Sequence, residues 1–299
     1  LPSLLREERV DLYHGMKLPG PFKNPVPTIH TMHSVLRDKV AGFPSTFKAK
    51  AFIAVYGQPI LKHLHRFIAV SGFVRADLMK SHGIPADRID VVPHGVSPRF
   101  RRLTLDAVRV DLLRFSLRRY VLSVGNVFPV KNHLTALRAF ARLAPSHPEL
   151  DFAIAGGLQD AYAGRVRAEI ASLGLGNRVK LLGMLSPEDL VSVLNGAELL
   201  LFPSLTEGFG IAVLEAMACG VPVVSSRAGA LGELAATAFV DDPMDDAGFA
   251  AEAGRLLSDP VHRGEAAERS AQAASRFTWE NSAREHLASY ERAVETPRP

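Results

Sequence analysis

The chain has 299 residues, of which 47% are hydrophobic and 22% charged, a composition that can bury the cores of two domains of ordinary size. No run approaches about 18 uninterrupted apolar residues and no basic-then-apolar leader opens the chain, so neither a transmembrane helix nor secretion is expected. The single cysteine, Cys219, excludes an internal disulfide and a cysteine-based zinc site. Its apolar surroundings predict core packing in a reducing cytoplasm.

The net charge of +4 is unevenly distributed. Residues 1–105 carry an excess of 9 positive charges and the remainder an excess of 5 negative charges. A basic first part predicts an anionic partner, either a membrane surface or a phosphorylated acceptor, unless the charge is simply solvated. Nucleic acid is not expected as a partner, because aromatic residues do not interleave with the basic ones.

The first 105 residues show sparse strand and helix patterns. Helices are predicted near 45–65 and 71–82, and the segment 99–115 is predicted to link two domains. The strand patterns are VDLYH, PVPTIH, RFIAV and RIDVV.

From residue 120 onward, buried strand patterns alternate with amphipathic helices, which predicts a parallel, doubly wound sheet. Ser186 is a good helix cap ahead of a proline. Ligands of such sheets bind at the carboxyl ends of the strands, so Gly125 and Glu207, which both follow strands, are expected to meet there. The strands are VLSVG, DFAIAG, RVKLLG, LLLF and PVVS, and the helices are near 131–144, 160–173, 186–195 and 208–219.

The segment PSLTEGFGIAVLEAMACGVPVVS (203–225) places Glu207 and Glu215 around a Gly-Phe-Gly turn at the start of a helix. Ile211, Leu214 and Ala218 are predicted to form the buried stripe of that helix, with Glu215 at its edge. Backbone N–H groups and the positive helix end favour an anion near Glu207. The pattern predicts hydroxyl-binding carboxylates beside a phosphate-binding helix end, and the alternative is a helix cap plus a surface glutamate.

This Glu-x7-Glu segment resembles the signature of the retaining family-4 glycosyltransferases (glycosyl transferases group 1). The resemblance continues through VLSVGNVFPVKNHLTALRAF, which is mannosyltransferase-like, and through RVKLLGMLSPEDLVSVLNGAELLLFPS and FTWENSAREHLASYERA. It implies an α/β protein of the GT-B fold, in which two Rossmann-like doubly wound parallel-sheet domains face each other across a cleft.

The domains that the resemblance implies are an acceptor-side domain at 1–105, a nucleotide-sugar-binding domain at 106–278 and a helix at 279–299 that crosses back to the first domain. The first domain is expected to be short or truncated, because the first strand–helix units of the family have no counterpart in this chain. A fragment and a minimal domain both remain open.

The resemblance also implies roles for individual residues. Glu207, His30 and Lys131 are the expected catalytic residues; Glu207 contacts the sugar hydroxyls and Lys131 the diphosphate. His30 of TIHTMH is expected to end a strand beside the anomeric centre, and His33 could substitute for it. Glu215 should accept hydrogen bonds from the ribose. Met184 borders the base unless it packs in the core. The expected donor-binding residues are Glu215, Lys131, Gly125, Asn126, Gly183, Met184, Gly208, Phe209, Gly210 and Ile211.

One departure from the family concerns the diphosphate. Related sequences often carry an arginine near this lysine, whereas Asn126 and Val130 stand at the candidate positions here. The expected consequence is a weaker diphosphate clamp, or a substitute such as Arg75. No cofactor or metal is expected, since no Asp-x-Asp motif is present, and the aspartates at 241–242 and 245–246 are interpreted as caps or solvated charges.

The implied reaction moves a hexosyl group, of mannose or glucose type, from a GDP- or UDP-sugar to an acceptor hydroxyl of a glycan or lipid-linked sugar, with GDP-mannose the first donor expected. The alternatives are a nucleotide-sugar-binding module without turnover and a GT-B epimerase. A dehydrogenase is not expected, because no G-x-G-x-x-G follows a strand. The expected location is the cytoplasm, with peripheral contact at the inner membrane face as an addition.

Overall fold

The computed structural model describes residues 2–16, 24–34, 61, 64–158, 160–234 and 237–295. The helix predicted near 45–65 lies almost wholly outside these residues. The chain forms two compact units. The first contains the described residues up to Gly95 together with those from Phe277 onward, and the second contains Val96–Arg276.

The first unit is built on a parallel sheet whose described strands lie in chain order, β1-β2-β3-β4. Its second helix begins at Ser71, whose side chain accepts a hydrogen bond from the Val74 amide, and ends at Gly83 in the left-handed conformation. The elements are β1 (Tyr13–Gly15), β2 (Thr28–Met32), β3 (Arg66–Ala69), β4 (Ile89–Val91), α1 (Pro2–Glu7) and α2 (Gly72–His82).

The C-terminal helix α10 (Trp279–Glu295) also belongs to the first unit and packs on β2 and β3. The Asp90 carboxylate accepts hydrogen bonds from Arg66 at 3.0 Å, Arg292 at 3.1 Å and Ser289 at 2.7 Å. Burial raises the pKa of Asp90, but these donors outweigh it, so the pKa is lowered overall. One carboxylate thus ties the helix to β3 and β4.

The second unit contains a six-stranded parallel sheet in the order β10-β9-β8-β5-β6-β7. From β5 the chain first builds towards β7 and then returns to build β8, β9 and β10 on the other side. The switch point therefore lies between β5 and β8, where doubly wound sheets bind ligands. The strands are β5 (Tyr120–Val124), β6 (Asp151–Ala155), β7 (Val179–Gly183), β8 (Leu199–Phe202), β9 (Val223–Ser226) and β10 (Ala238–Val240).

Four helices of the second unit lie at the predicted positions near 131–144, 160–173, 186–195 and 208–219, whereas those at 105–114, 246–258 and 260–274 were not predicted. Ser186 caps its helix by accepting a hydrogen bond from the Asp189 amide, as predicted, and Asp245 caps another through the Gly248 amide. The helices are α3 (Leu105–Arg114), α4 (His133–Leu143), α5 (Asp160–Ser172), α6 (Pro187–Asn195), α7 (Ile211–Ala218), α8 (Asp246–Ser258) and α9 (Pro260–Ala274).

The segment expected to link the domains is itself part of the second unit. Helix α3 packs against α6. The Leu103 amide donates to Asn195 Oδ1 at 2.7 Å, and Asn195 Nδ2 donates to the Arg101 carbonyl at 3.1 Å. These bonds hold the chain ahead of α3 against α6, and Val96–Arg276 form one compact unit.

Candidate active site

Two loops of the second unit meet at the switch point of its sheet. Loop 125–132 follows β5 and loop 203–210 follows β8. The Leu205 amide donates to the Val130 carbonyl at 2.8 Å, and Asn132 Nδ2 donates to the Pro203 carbonyl at 3.1 Å. These bonds lock the two loops together at the carboxyl ends of the strands.

Lys131 and Glu207 form an ion pair across these two loops. Lys131 Nζ lies 2.6 Å from Glu207 Oε1, and the side chains are 22% and 15% exposed. The lysine stem crosses Gly125, where an added Cβ would lie 3.1 Å from Lys131 Cε. The Nζ atom lies 5.1 Å from the ring centroid of Phe202, within range of a cation–π contact. Lys131 thus contacts both Gly125 and Glu207 at this edge of the sheet.

Glu207 is held at both its side chain and its backbone. The hydroxyl of Ser204, a fully buried residue, lies 2.7 Å from Glu207 Oε1. The Glu207 carbonyl accepts a hydrogen bond from the Ala230 amide at 2.9 Å. Sequence reasoning missed Ser204, although its position three residues before Glu207 in the same loop could have suggested a hydroxyl partner for the carboxylate. The carboxylate is therefore fixed in position rather than free in a loop.

Gly229 passes very close to this glutamate. Its φ is +68°, and an added Cβ would lie 2.3 Å from the Glu207 carbonyl oxygen and 2.7 Å from the Glu207 amide nitrogen. We expect Gly229→Ala to displace the Glu207 loop, to lower the free energy of unfolding by about 1–3 kcal/mol and to reduce any activity that depends on Glu207. Chemical denaturation and activity assays measure the two effects.

Gly174→Ala is the matched control for that substitution. Gly174 has the same φ of +68°, but an added Cβ would meet nothing within 4 Å. The control therefore carries the backbone strain without the close approach. Equal effects of the two substitutions would contradict the proposed contact between Gly229 and the Glu207 loop.

Asn132 connects three loops around the site. It has a left-handed φ of 53° and directly precedes α4. Its Nδ2 donates to the carbonyls of Pro203 and Pro243, the latter at 2.7 Å, and its Oδ1 accepts from Thr135 Oγ1 at 3.0 Å. Sequence reasoning missed this role. The available signal was an asparagine, which tolerates the left-handed conformation, at the junction between a turn and a helix.

The predicted buried stripe of α7 is wrong at Ile211. Gly210 precedes the helix with a φ of 98°, so α7 begins at Ile211, which projects from the first turn and is 42% exposed. Leu214 is buried as expected, whereas Ala218 is only partly buried. The residues that α7 buries are Val213, Leu214, Ala216 and Met217.

Glu215 lies at the edge of that stripe, partly buried. Burial raises its pKa to about 7. The Cys219 thiol, one turn later, has its pKa raised to about 12 by burial and by the charge of Glu215. Cys219 is buried, as predicted. Hydrogen bonds from hydroxyl groups stabilise the charged form of a partly buried carboxylate, so Glu215 is suited to bind a diol.

The raised pKa of Glu215 predicts a pH-dependent contribution to stability. The folded chain holds this proton to higher pH than the unfolded chain, so the free energy of unfolding falls as pH rises from about 4.5 to about 7. We expect Glu215→Gln to gain stability relative to the unmodified protein across that window, by at most about 3 kcal/mol.

Urea denaturation of both proteins at pH 5, 6, 7 and 8 measures this difference. Histidines whose pKa values lie near 4 give the opposite slope. Between pH 6.5 and about 4 the unfolded chain protonates them while the folded chain keeps them neutral, so the free energy of unfolding falls as pH falls; both proteins share these histidines, and their effect cancels in the difference. If the free energy of unfolding changed with pH in the same way in both proteins, the raised pKa of Glu215 would be contradicted.

Gly183 and Met184, which were expected to border the base, lie at the end of β7. Met184 is 71% exposed, so the core-packing alternative for it is wrong. Its Cε lies 3.2 Å from where a Cβ on Gly157 would stand, and Asn126 Oδ1 accepts a hydrogen bond from the Gly157 amide at 3.0 Å. Gly183 has a φ of +69° and ends β7. Gly208 and Phe209 lie in the turn before α7, and the side chain of Phe209 is buried.

His30 does not end its strand, contrary to expectation. It lies in the middle of β2 and is fully buried. Its ring covers Gly15, where an added Cβ would lie 2.3 Å from His30 Nε2. Burial lowers the pKa of His30 to about 4. The strand continues for two more residues because Thr31 and Met32 still pair with β3.

His33, the second candidate, follows the end of β2 directly. Its ring stacks on that of His94, which follows β4, with centroids 5.3 Å apart and His33 Nδ1 lying 3.3 Å from His94 Nε2. Burial, together with the charges of His33 and His286, lowers the pKa of His94 to about 4. A histidine pair thus stands at the carboxyl edge of the first sheet, where a neutral imidazole can accept or donate a hydrogen bond.

Arg75, the expected substitute for the missing arginine, lies in the first turn of α2. Its Nε is buried and has no hydrogen-bond partner among the described residues. The acidic pairs near the second-unit site are used structurally: Asp241 pairs with Arg227 at 2.8 Å, and Asp246 with Arg142 at 2.5 Å.

The sequence of the second unit matches the family described as glycosyl transferases group 1 over residues 106–277, and residues 1–100 match glycosyltransferase family 4. The chain belongs to the group 1 glycosyltransferase family.

Curated relatives include two proteins named D-inositol 3-phosphate glycosyltransferase. The one from Acidothermus cellulolyticus is 31% identical over 284 residues, covering 90% of this chain and 62% of the relative. The one from Rhodococcus opacus is 30% identical over 279 residues, covering 90% and 63%. The chain thus spans about three fifths of the length of these relatives.

Solved structures show that the fold is GT-B. A glycosyltransferase from Rickettsia africae superposes with a TM-score of 0.80 at 20% identity, over 99% of this chain and 80% of that one. Sucrose-phosphate synthase from Thermosynechococcus elongatus gives 0.82 at 22% identity, over 97% and 75%. Anabaena HepE in complex with UDP and glucose gives 0.77 at 20% identity, over 91% and 72%. Across the described part of the chain, every helix is too short or too polar to cross a membrane.

Proposed function

We propose that this chain carries the donor site and catalytic groups of a retaining glycosyltransferase that moves a hexosyl group from a nucleoside diphosphate sugar to an acceptor hydroxyl. The observation that carries the proposal is the Lys131–Glu207 ion pair at the switch point of the second sheet, 2.6 Å long and fixed by both flanking loops. Family membership supports the same reaction class.

Donor binding exchanges the partners of this ion pair. The Lys131 ammonium pairs with the diphosphate in place of Glu207, since two phosphates carry more negative charge than one carboxylate. Glu207, still held by Ser204, then accepts hydrogen bonds from the sugar hydroxyls. Glu215 accepts from the ribose diol, and the N-terminal amides of α7 face the sugar.

The transfer step forms a bond between the acceptor oxygen and the anomeric carbon as the bond to the diphosphate breaks. The acceptor proton goes to the departing phosphate on the same face, so the configuration is kept. Lys131 stabilises the charge that develops on the leaving group, which is the main contribution that preorganised groups make to such a barrier. Of the two candidate histidines, His33 suits a catalytic role better than the buried His30, because it follows the carboxyl end of β2.

The substrates to test first follow from the relatives. HepE holds UDP and glucose, or UDP-glucose, in its solved complexes, so UDP-glucose is the first donor and GDP-mannose the second. The curated relatives are named for D-inositol 3-phosphate, and the excess of 9 positive charges in residues 1–105 favours a phosphorylated acceptor of this kind.

A donor panel incubated with the 299-residue chain and read by mass spectrometry tests the proposal. We expect a glycosylated acceptor and free nucleoside diphosphate, with the same yield in EDTA because no metal takes part. Tight donor binding without transfer or hydrolysis would instead identify a binding module. Release of free sugar or an epimer without an acceptor would identify an epimerase.

A further inference from the structure

A cavity lies at the amino ends of the strands of the six-stranded sheet. Its volume is about 450 Å³, within the range of small-molecule sites. Arg118 and Arg119 immediately precede β5, and Glu198 precedes β8, so the cavity opens at the amino ends of the strands, away from Lys131 and Glu207. We call it the arginine pocket; its polar lining includes Arg102, Arg118, Arg119, Arg263, Asn195 and Cys219.

The charges around this pocket are not balanced. Among the residues that line it, Glu198 is the one acid. It is shared by two guanidinium groups, lying 2.8 Å from Arg119 Nε and 3.0 Å from an Arg263 nitrogen, and Arg119 also pairs with Glu149, outside the pocket lining, at 2.5 Å. Arg102 pairs outward with the exposed Glu268 at 3.0 Å. Arg118 makes no ion pair with any residue that the structure describes, so the pocket retains a positive charge.

Arg263 leaves one donor unused. Its Nη2 bonds Glu198, but its Nη1 is buried with no hydrogen-bond partner in the described chain. A buried donor without an acceptor is unfavourable, and an anionic ligand in the pocket would supply the acceptor. Arginine forks from several directions match the oxygens of a phosphate group, and Leu103 and Val221 offer an apolar wall.

We propose that the arginine pocket binds a small phosphate monoester, of the size of a sugar phosphate or a mononucleotide. The phosphate group lies between Arg118 and Arg263, and its organic part lies against the apolar wall. This site is distinct from the donor site and does not depend on the proposed transfer reaction.

Calorimetric titration of the 299-residue chain with inorganic phosphate, glucose 6-phosphate and AMP tests the proposal. We expect saturable binding of at least one of the esters, weakened about tenfold in Arg118→Glu. Arg263→Lys, which keeps the charge but removes the planar fork, should also weaken it. Arg109→Glu is the matched control, since Arg109 is exposed on α3 but does not line the pocket.

Lys131→Ala, whose donor site is impaired, separates the arginine pocket from the donor site. We expect this variant to bind the ester with unchanged affinity in the same titration. Binding that disappears in Lys131→Ala would place the ester in the donor site and overturn the proposal. Absence of saturable binding, or unchanged affinity in Arg118→Glu, would overturn it as well.

Discussion

Glu207→Gln should abolish hexosyl transfer while leaving donor binding intact. The amide keeps the shape of the side chain and its contact with Ser204, but it loses the negative charge that pairs with Lys131 at 2.6 Å. A loss of transfer of about 100- to 1,000-fold is expected, as for the removal of one preorganised catalytic group. Because Lys131 is then unpaired, the affinity for the nucleoside diphosphate should be unchanged or higher.

Single-turnover assays and calorimetry separate these two effects. Glu188→Gln is the control, since Glu188 is 79% exposed and pairs only loosely with Arg99 at 3.4 Å. Transfer by Glu207→Gln within a few-fold of the unmodified chain would remove Glu207 from the catalytic site.

Lys131→Ala should weaken donor binding through the diphosphate alone. Loss of a charge-assisted contact to a phosphate predicts an increase in Kd of about 10- to 100-fold. The affinity for the nucleoside without phosphates should not change. Lys131→Met retains an apolar stem over Gly125 and Phe202, so it isolates the charge from the packing.

The matched control for Lys131 is Lys180→Met, in β7 of the same unit. Lys180 contacts the Asn177 carbonyl at 3.4 Å and lies outside the two loops of the donor site. An equal loss of affinity for nucleoside and nucleoside diphosphate in Lys131→Ala would mean that the lysine supports the fold of the site rather than the diphosphate.

The second unit was largely predictable from the sequence, and the reason is physical. Its strands β5, β8 and β9 are buried on both faces and read as apolar runs, so the alternation of strands and helices and the placement of Lys131 and Glu207 after β5 and β8 could be inferred. Ser186 is identified as a cap by local chemistry alone, because its partner lies three residues away.

The errors concern contacts that local patterns do not encode. Whether His30 or His33 emerges from β2 depends on how far β3 pairs with it, and that pairing partner lies more than thirty residues away in the sequence. The exposure of Ile211 depends on the left-handed Gly210. Gly229 contacts Glu207 from a different loop, so neither its spacing nor its neighbours identify it.

The packing of α10 on β2 and β3 affects the order in which the two units can fold during synthesis. Gly95 allows the backbone of Trp279 to approach closely, since an added Cβ would lie 2.3 Å from the Trp279 amide nitrogen. Asp90 accepts hydrogen bonds from Ser289 and Arg292 of the same helix. The unit that contains β1–β4 therefore cannot complete its core before α10 has been synthesised, because Ala293 and Tyr290 of α10 pack in that core. The second unit, Val96–Arg276, precedes α10 in the chain, so during translation it can fold while the first unit is still incomplete.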